Sequence, residues 1–308
     1  LRVDTLARLE RYEDAAAELA DATDTARVCR WARLVGLDLQ RPTEAVERLR
    51  EWLAEHQDDQ EAFELIEDLA SRVGDVETTA WARQSLGRLV EGNPLARSKW
   101  LQRAAQVAAD ASEAVELLTE AMSLDSANDS IRSQLGHALE RQGDFEHAAQ
   151  ISLELAETAD QIGQRVLHLL RAASNLRRID GPRAMQILDR VEAAVPEDAR
   201  MLRMRIEIAR DQDQNDQEVV LLRRLAKITA DKSERLSALR RAAEVSGDMD
   251  LLRMVVLHDP EDVDARLALA QMAEREGDLA AAVGEFQTLA THLEGDASAA
   301  ALHRAAGL

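Results

Sequence analysis

The side chains that could do chemistry are few and far apart. The seven histidines are His56, His137, His147, His168, His258, His292 and His303, and none stands three or four residues from another. A zinc-hydrolase HExxH is therefore missing, as are a GxSxG nucleophile elbow and a glycine-rich phosphate loop. His137 and His147 flank Gly143-Asp144 and could approach across a hairpin, the one foothold for catalysis; half-buried or exposed helical histidines are the commoner case. Asp211, Asp213 and Asn215 alternate like the start of a calcium loop, but Asp216 stands where that loop needs glycine and Leu222 where it needs a bidentate Glu. Capping and solvation at a turn account for them. Cys29 lies among Arg27, Arg30 and Arg33, which could lower its pKa, yet on a helix it shares a face with Ala26 and Ala32 and reads as a packing residue. Trp31, Trp52, Trp81 and Trp100 all fall in the first third and read as core. The sequence thus predicts no catalytic residue, no metal site and no cofactor.

The elements that position these residues are clearer. In Leu135 to Ala149, Leu135, Ala138 and Leu139 recur at helical spacing, Gly143-Asp144 interrupts, and Phe145, Ala148, Ala149 and Ile151 resume the period. Gly takes the left-handed backbone that ends one helix, and Asp caps the free amides that open the next. With Ala148 as a register mark, equivalents fall at Ala15, Ala45, Thr79, Ala114, Ala184, Val220, Leu252 and Ala282, about 34 residues apart as helical-hairpin arrays require. The pair recurs at Gly74-Asp75, Gly247-Asp248 and Gly277-Asp278, four or five residues before a mark. Ala, Leu, Glu and Arg dominate and no alternating strand pattern is present, so the chain is expected to be all-α: a right-handed α-solenoid of about nine stacked antiparallel hairpins.

The pattern resembles the tetratricopeptide repeat. Leu135-Gly136 and Ala148 fit its offsets, with Arg132, Leu139 and Ser152 at the large and aromatic places; Leu269-Ala270, Ala273, Ala282 and Phe286 fit in another unit, and Pro260 and Pro196 close the units before theirs. The resemblance implies a non-catalytic interaction scaffold whose first helices line a concave groove for a peptide or protein. At the family offsets these are Glu61, Glu64, Asp68 and Arg72, then Lys99 and Arg103, then Ser133, His137, Glu140 and Arg141, then Asp264, Gln271, Glu274 and Arg275. The basic clamp with which some members hold an acidic tail is not matched.

Residues 1–308 read as a single continuous array with partial repeats at 1–24 and 297–308, the latter because Ala299 to Ala306 looks like the first helix of a further unit. A segment of a longer protein is therefore expected, and a second reading follows from it: a sensory or regulatory arm of a multidomain chain whose effector lies outside this segment. The formal charge is −20 and Lys occurs only at Lys99, Lys227 and Lys232, a balance that argues against nucleic acid. Residues 51–150 hold 20 acids against 8 bases, whereas 151–250 hold 18 against 17. That acidic stretch is either a solvated face or the side that meets a basic partner. Arg in preference to Lys, with abundant Ala, suggests a bacterial source. A single cysteine rules out an internal disulfide and fits a reducing, cytoplasmic setting, and no apolar run approaches a membrane span. The free chain is expected to be a monomer with weak end-to-end self-association; a sharp, concentration-independent dimer in light scattering would contradict this.

Overall fold

Nineteen α-helices make up the computed structural model, which describes residues 2–90 and 92–308; no strand occurs among them. Leu1, where the first partial repeat was set to begin, and Glu91 in the acidic stretch lie outside the described residues. Two compact units divide the chain, the first ending at Thr158 and the second beginning at Ala159.

The first unit pairs its helices in sequence order: α1 (Arg2–Arg8) with α2 (Tyr12–Ala17), α3 (Thr25–Arg33) with α4 (Pro42–Glu55), α5 (Gln60–Val73) with α6 (Val76–Leu89), α7 (Pro94–Ala105) with α8 (Ala111–Leu124), and α9 (Asp129–Gln142) with α10 (Phe145–Thr158). The second unit repeats the scheme with α11 (Ile162–Arg177) and α12 (Gly181–Ala194), α13 (Ala199–Asp211) and α14 (Asn215–Ile228), α15 (Lys232–Ser246) and α16 (Met249–His258), α17 (Val263–Glu276) and α18 (Leu279–His292), then α19 (Gly295–Gly307) against α18. Helices of about 14 residues are marginal alone, so each depends on the apolar stripe it buries against its neighbours. In the first unit that burial forms one core around Leu49, Leu53, Phe63, Ile66 and Leu69 and another around Leu118, Ile131 and Leu135.

The expected turn chemistry is present. Gly74, Gly143, Gly247 and Gly277 have φ of 75°, 90°, 69° and 83°, and the aspartates after them accept from the opening amides of the next helix, as in Thr78 N to Asp75 Oδ1 at 3.0 Å and His147 N to Asp144 Oδ1 at 3.1 Å. Each of these glycines stands five residues before its register mark. Glu10, Gln40 and Asp213 hold the same left-handed backbone at φ of 56°, 57° and 54°, five before Ala15, Ala45 and position 218.

The spacing from Asp213 corrects one register mark. Glu218 is buried and Val220 is 58% exposed, so a carboxylate fills the place that small apolar residues take elsewhere. The steps from Ala184 to Glu218 and from Glu218 to Leu252 are then both 34. An apolar criterion cannot find such a position, because what permits a carboxylate there lies on other helices. The sequence also gave no sign of the π-helical turn Leu34–Asp38, where a Cβ on Gly36 would come within 2.8 Å of Leu69 Cδ2. Ser152, at one of the aromatic places of the resembled motif, is buried and donates to Ala148 O at 2.9 Å.

A side chain in the left-handed region costs about 1 kcal/mol against glycine. Gln40→Gly should therefore raise the stability of the chain by about 1 kcal/mol in urea denaturation, and Gly143→Ala should lower it by about as much.

Candidate interaction surface

The sequence-predicted groove residues lie on first helices. In the first unit, Glu61, Glu64, Asp68 and Arg72 are on α5, Lys99 and Arg103 on α7, and Ser133, His137, Glu140 and Arg141 on α9; in the second, Asp264, Gln271, Glu274 and Arg275 are on α17. Nearly all are exposed, with Asp68, Ser133, Glu140 and Glu274 half-buried. Within a helix, Arg72 Nε donates to Asp68 Oδ2 at 3.0 Å and Gln60 to Glu64 Oε1 at 2.8 Å. His137 Nδ1 lies 3.6 Å from Glu140 Oε2, and His147 Nδ1 lies 2.7 Å from Asp144 Oδ2, so each histidine has a carboxylate on its own hairpin. Gln271, Glu274 and Arg275 come together with Phe286 and Arg304 around an open cavity of about 510 Å³.

Ion pairs between successive first helices were not anticipated. Arg33 reaches Glu61 at 2.9 Å, Arg203 grips Glu234 with two donors at 2.5 and 2.8 Å, Arg177 pairs with Glu207 and Asp211, and Arg304 pairs with Glu274. Most of these partners are 28 to 31 residues apart, so each bridge joins a side chain to one about a turn short of its repeat equivalent. That offset was a signal available in the sequence. Surface pairs of this kind contribute at most about 1 kcal/mol each, so they set the alignment of neighbouring helices more than their stability.

Two buried carboxylates are held differently. Glu67 on α5 accepts from Arg83 Nε at 2.7 Å and takes both oxygens' worth of contact from Arg103 at 2.9 and 3.0 Å, while Arg83 also donates to Arg103 O at 2.8 Å. Three helices, α5, α6 and α7, are thus joined at one acid. Glu218 does the same for α13, α14 and α15, accepting from Arg210 Nε and Arg241 Nε at 3.0 Å each. Burial alone would raise the Glu218 pKa, and it is the largest single influence; the hydrogen bonds and charges of Arg241 and Arg210 together outweigh it and hold the group below the usual range. The Glu234 carboxyl is lowered to about 2, first by its bond from Arg203 and then by that from Thr229. Arg203, Arg210 and Arg241 line a shallow cavity over Ile206, Leu222 and Leu225 that the sequence reading did not single out.

The remaining candidates fall into the core or the turns. Cys29 is buried, and that burial pushes its thiol up to about 12 despite the nearby arginines. Trp31 is in the first core beneath Arg48 at 4.2 Å, and Arg103 lies 4.5 Å over the Trp100 ring. Asp211 pairs with Arg177 and Asp213 shapes its turn. Among the described residues, no three or more His, Cys, Asp or Glu are grouped to hold a metal, and no helix is long and apolar enough to cross a membrane.

No protein-family model and no curated protein sequence matches the chain. Among solved structures, a chain of the Naa15/Naa10 assembly bound to HypK-THB is similar at 12% identity and a TM-score of 0.57, covering 99% of this chain and 64% of that one. A tetratricopeptide repeat protein from Parabacteroides merdae aligns at 13% identity over 80% of this chain and 98% of its own, with a TM-score of 0.46. Yeast Tom70 aligns at 17% identity over 93% of this chain and 64% of its own, with a TM-score of 0.35. The chain thus spans under two thirds of the length of two of these structures. The likeness to the Naa15/Naa10 chain is one of fold alone, an array of stacked helical hairpins.

Both lowered carboxylates bind protons less readily folded than unfolded, so their contribution is complete above about pH 4.5 and is lost as the pH falls below it, for Glu234 as the pH falls through about 2. Between about pH 4.5 and 2, Glu234→Gln should lose less stability than the wild type in denaturant titrations. Arg210→Ala with Arg241→Ala strands a buried acid and should cost about 3–5 kcal/mol. Glu218→Ala restores a small residue beneath two solvent-reaching arginines and should cost only about 1 kcal/mol.

Proposed function

We propose that the chain is a non-catalytic protein-interaction scaffold whose first helices present an extended binding surface to a protein or peptide. The observation that carries this reading is the run of exposed polar side chains on α5, α7 and α9, set on helices whose opposite faces are locked into the two cores of the first unit. A rigid backbone with an outward row of charges can recognise an extended partner without ordering itself on binding. The similar Naa15/Naa10 structure is itself an assembly of several proteins, which is in keeping with such a role.

The partner is a basic protein or peptide. Residues 51–150 carry the excess of acid, 20 against 8, and Glu61, Glu64 and Asp68 project from one helix within it. Charge at this density governs the rate and specificity of encounter more than the final affinity, and it is screened at raised salt. The chain has no catalytic role in this reading.

A pull-down with the whole chain from its source lysate, at low and raised salt, tests this. A basic protein retained at low salt, released at raised salt, and retained about tenfold less by the Glu61→Lys, Glu64→Lys variant is the expected result. Retention of nothing at either salt, or retention indifferent to the charge reversal, would overturn the reading.

A further inference from the structure

The two cores of the first unit stop on either side of one seam. The first takes in α1 to α6 and ends at Leu86; the second begins at Leu101 of α7 and runs through α8 and α9 to Leu155 of α10. Apolar contact across the seam comes from Trp100, half-buried against the first core, and from Leu101, which a Cβ on Gly87 of α6 would meet at 3.7 Å. Along the same seam lies a cavity of about 300 Å³ whose lining includes Gln84, Arg88, Arg97, Glu113 and Glu120. Burial therefore holds each core together more than it joins one to the other.

What closes the seam is charge. Glu67 and Arg83, both almost fully buried, belong to the hairpin of α5 and α6, and Arg103 reaches them from α7. Its guanidinium holds both Glu67 oxygens and its carbonyl accepts from Arg83, so one residue connects α7 to α5 and to α6. Gln84 adds a bond from α6 to Glu113 of α8 at 2.7 Å. A buried ion pair contributes little more than apolar packing of the same volume would, yet removing one of its partners is costly. The seam is thus modest in burial and exacting in geometry.

On its other side α7 is bound differently. Leu101 and Ala105 enter the second core, Ser98 is wholly buried and donates to Ala121 O at 3.0 Å, and Arg97 pairs with Glu120. By its packing α7 belongs with α8 to α10, although it is joined to α5 and α6 at Glu67.

We propose that Arg103 latches two blocks of the first unit, α1 to α6 and α7 to α10, and that each block opens without the other. Opening free energies within a protein differ by region and follow contiguous cooperative segments. Here the boundary between segments falls where apolar continuity gives way to the Glu67 cluster. The charged row on the first helices crosses that boundary, with α5 on one block and α7 and α9 on the other. The inference goes beyond the scaffold reading and stands whether or not the row binds a partner.

Native-state hydrogen exchange of the full chain, read by mass spectrometry on peptides from α5 and from α9, tests it. Leu135→Ala leaves a cavity in the second core and should speed the slowest amides of α9 about a hundredfold while those of α5 stay unchanged. Ile131→Val, a milder change in the same core, should show the same separation at about fivefold. Arg103→Met keeps an apolar stem over Trp100 but removes the latch, and it should speed the slowest amides of both helices by a common factor of about tenfold. A core substitution that speeds α5 as much as α9 would mean a single block, and an effect of Arg103→Met that is absent or confined to α9 would mean no latch; either result overturns the proposal.

Discussion

The contact on which the structure depends is the one made in the first turn of each second helix. Ala15, Ala45, Thr79, Ala114, Ala148, Ala184, Leu252 and Ala282 are all buried there, almost completely. A small or well-fitted side chain at that point lets two helices and the next hairpin approach closely, and the resulting burial stabilises helices too short to persist alone. Gly136 works to the same end from the facing helix, since a Cβ there would stand 3.2 Å from Ile151 Cγ2.

Once that approach is fixed, the turns follow. In every marked hairpin but those of Ala114 and Ala184, a left-handed residue five positions earlier ends the first helix and sets the angle at which the second begins, whether it is Gly or, at Glu10, Gln40 and Asp213, a residue that pays for the conformation. The charged rows then have little freedom: side chains about 30 residues apart on successive first helices come within reach, and Arg meets Glu across the step. Function in such an array is a property of surfaces held at fixed spacing, not of one converging site.

What was legible in the sequence is what repeats locally. Gly-Asp and the helical spacing of Leu and Ala carry their meaning within about fifteen residues, so the hairpins, their turns and the burial of Cys29 and Trp31 could be read directly. Glu218 could not, because its burial depends on Arg210 from the helix before and Arg241 from the helix after, and a search for apolar residues slides to Val220 instead. Glu67 was likewise invisible beside Glu64 and Asp68: the three differ by which face of α5 they occupy and by the presence of Arg83, sixteen residues on.

Glu67 and Glu218 have a bearing on modularity. Repeat proteins grow and recombine by duplicating, deleting or exchanging whole hairpins, which succeeds when any unit can stack on any other. Here each buried acid takes one arginine from its own hairpin and one from the hairpin that follows, Arg83 and Arg103 in one case, Arg210 and Arg241 in the other. A transplanted copy of either hairpin would bring its acid and leave half of its counter-charge behind. These two junctions are thus addressed, each hairpin accepting one particular successor, and the order of units around them is protected against shuffling in a way that the alanine-based junctions are not.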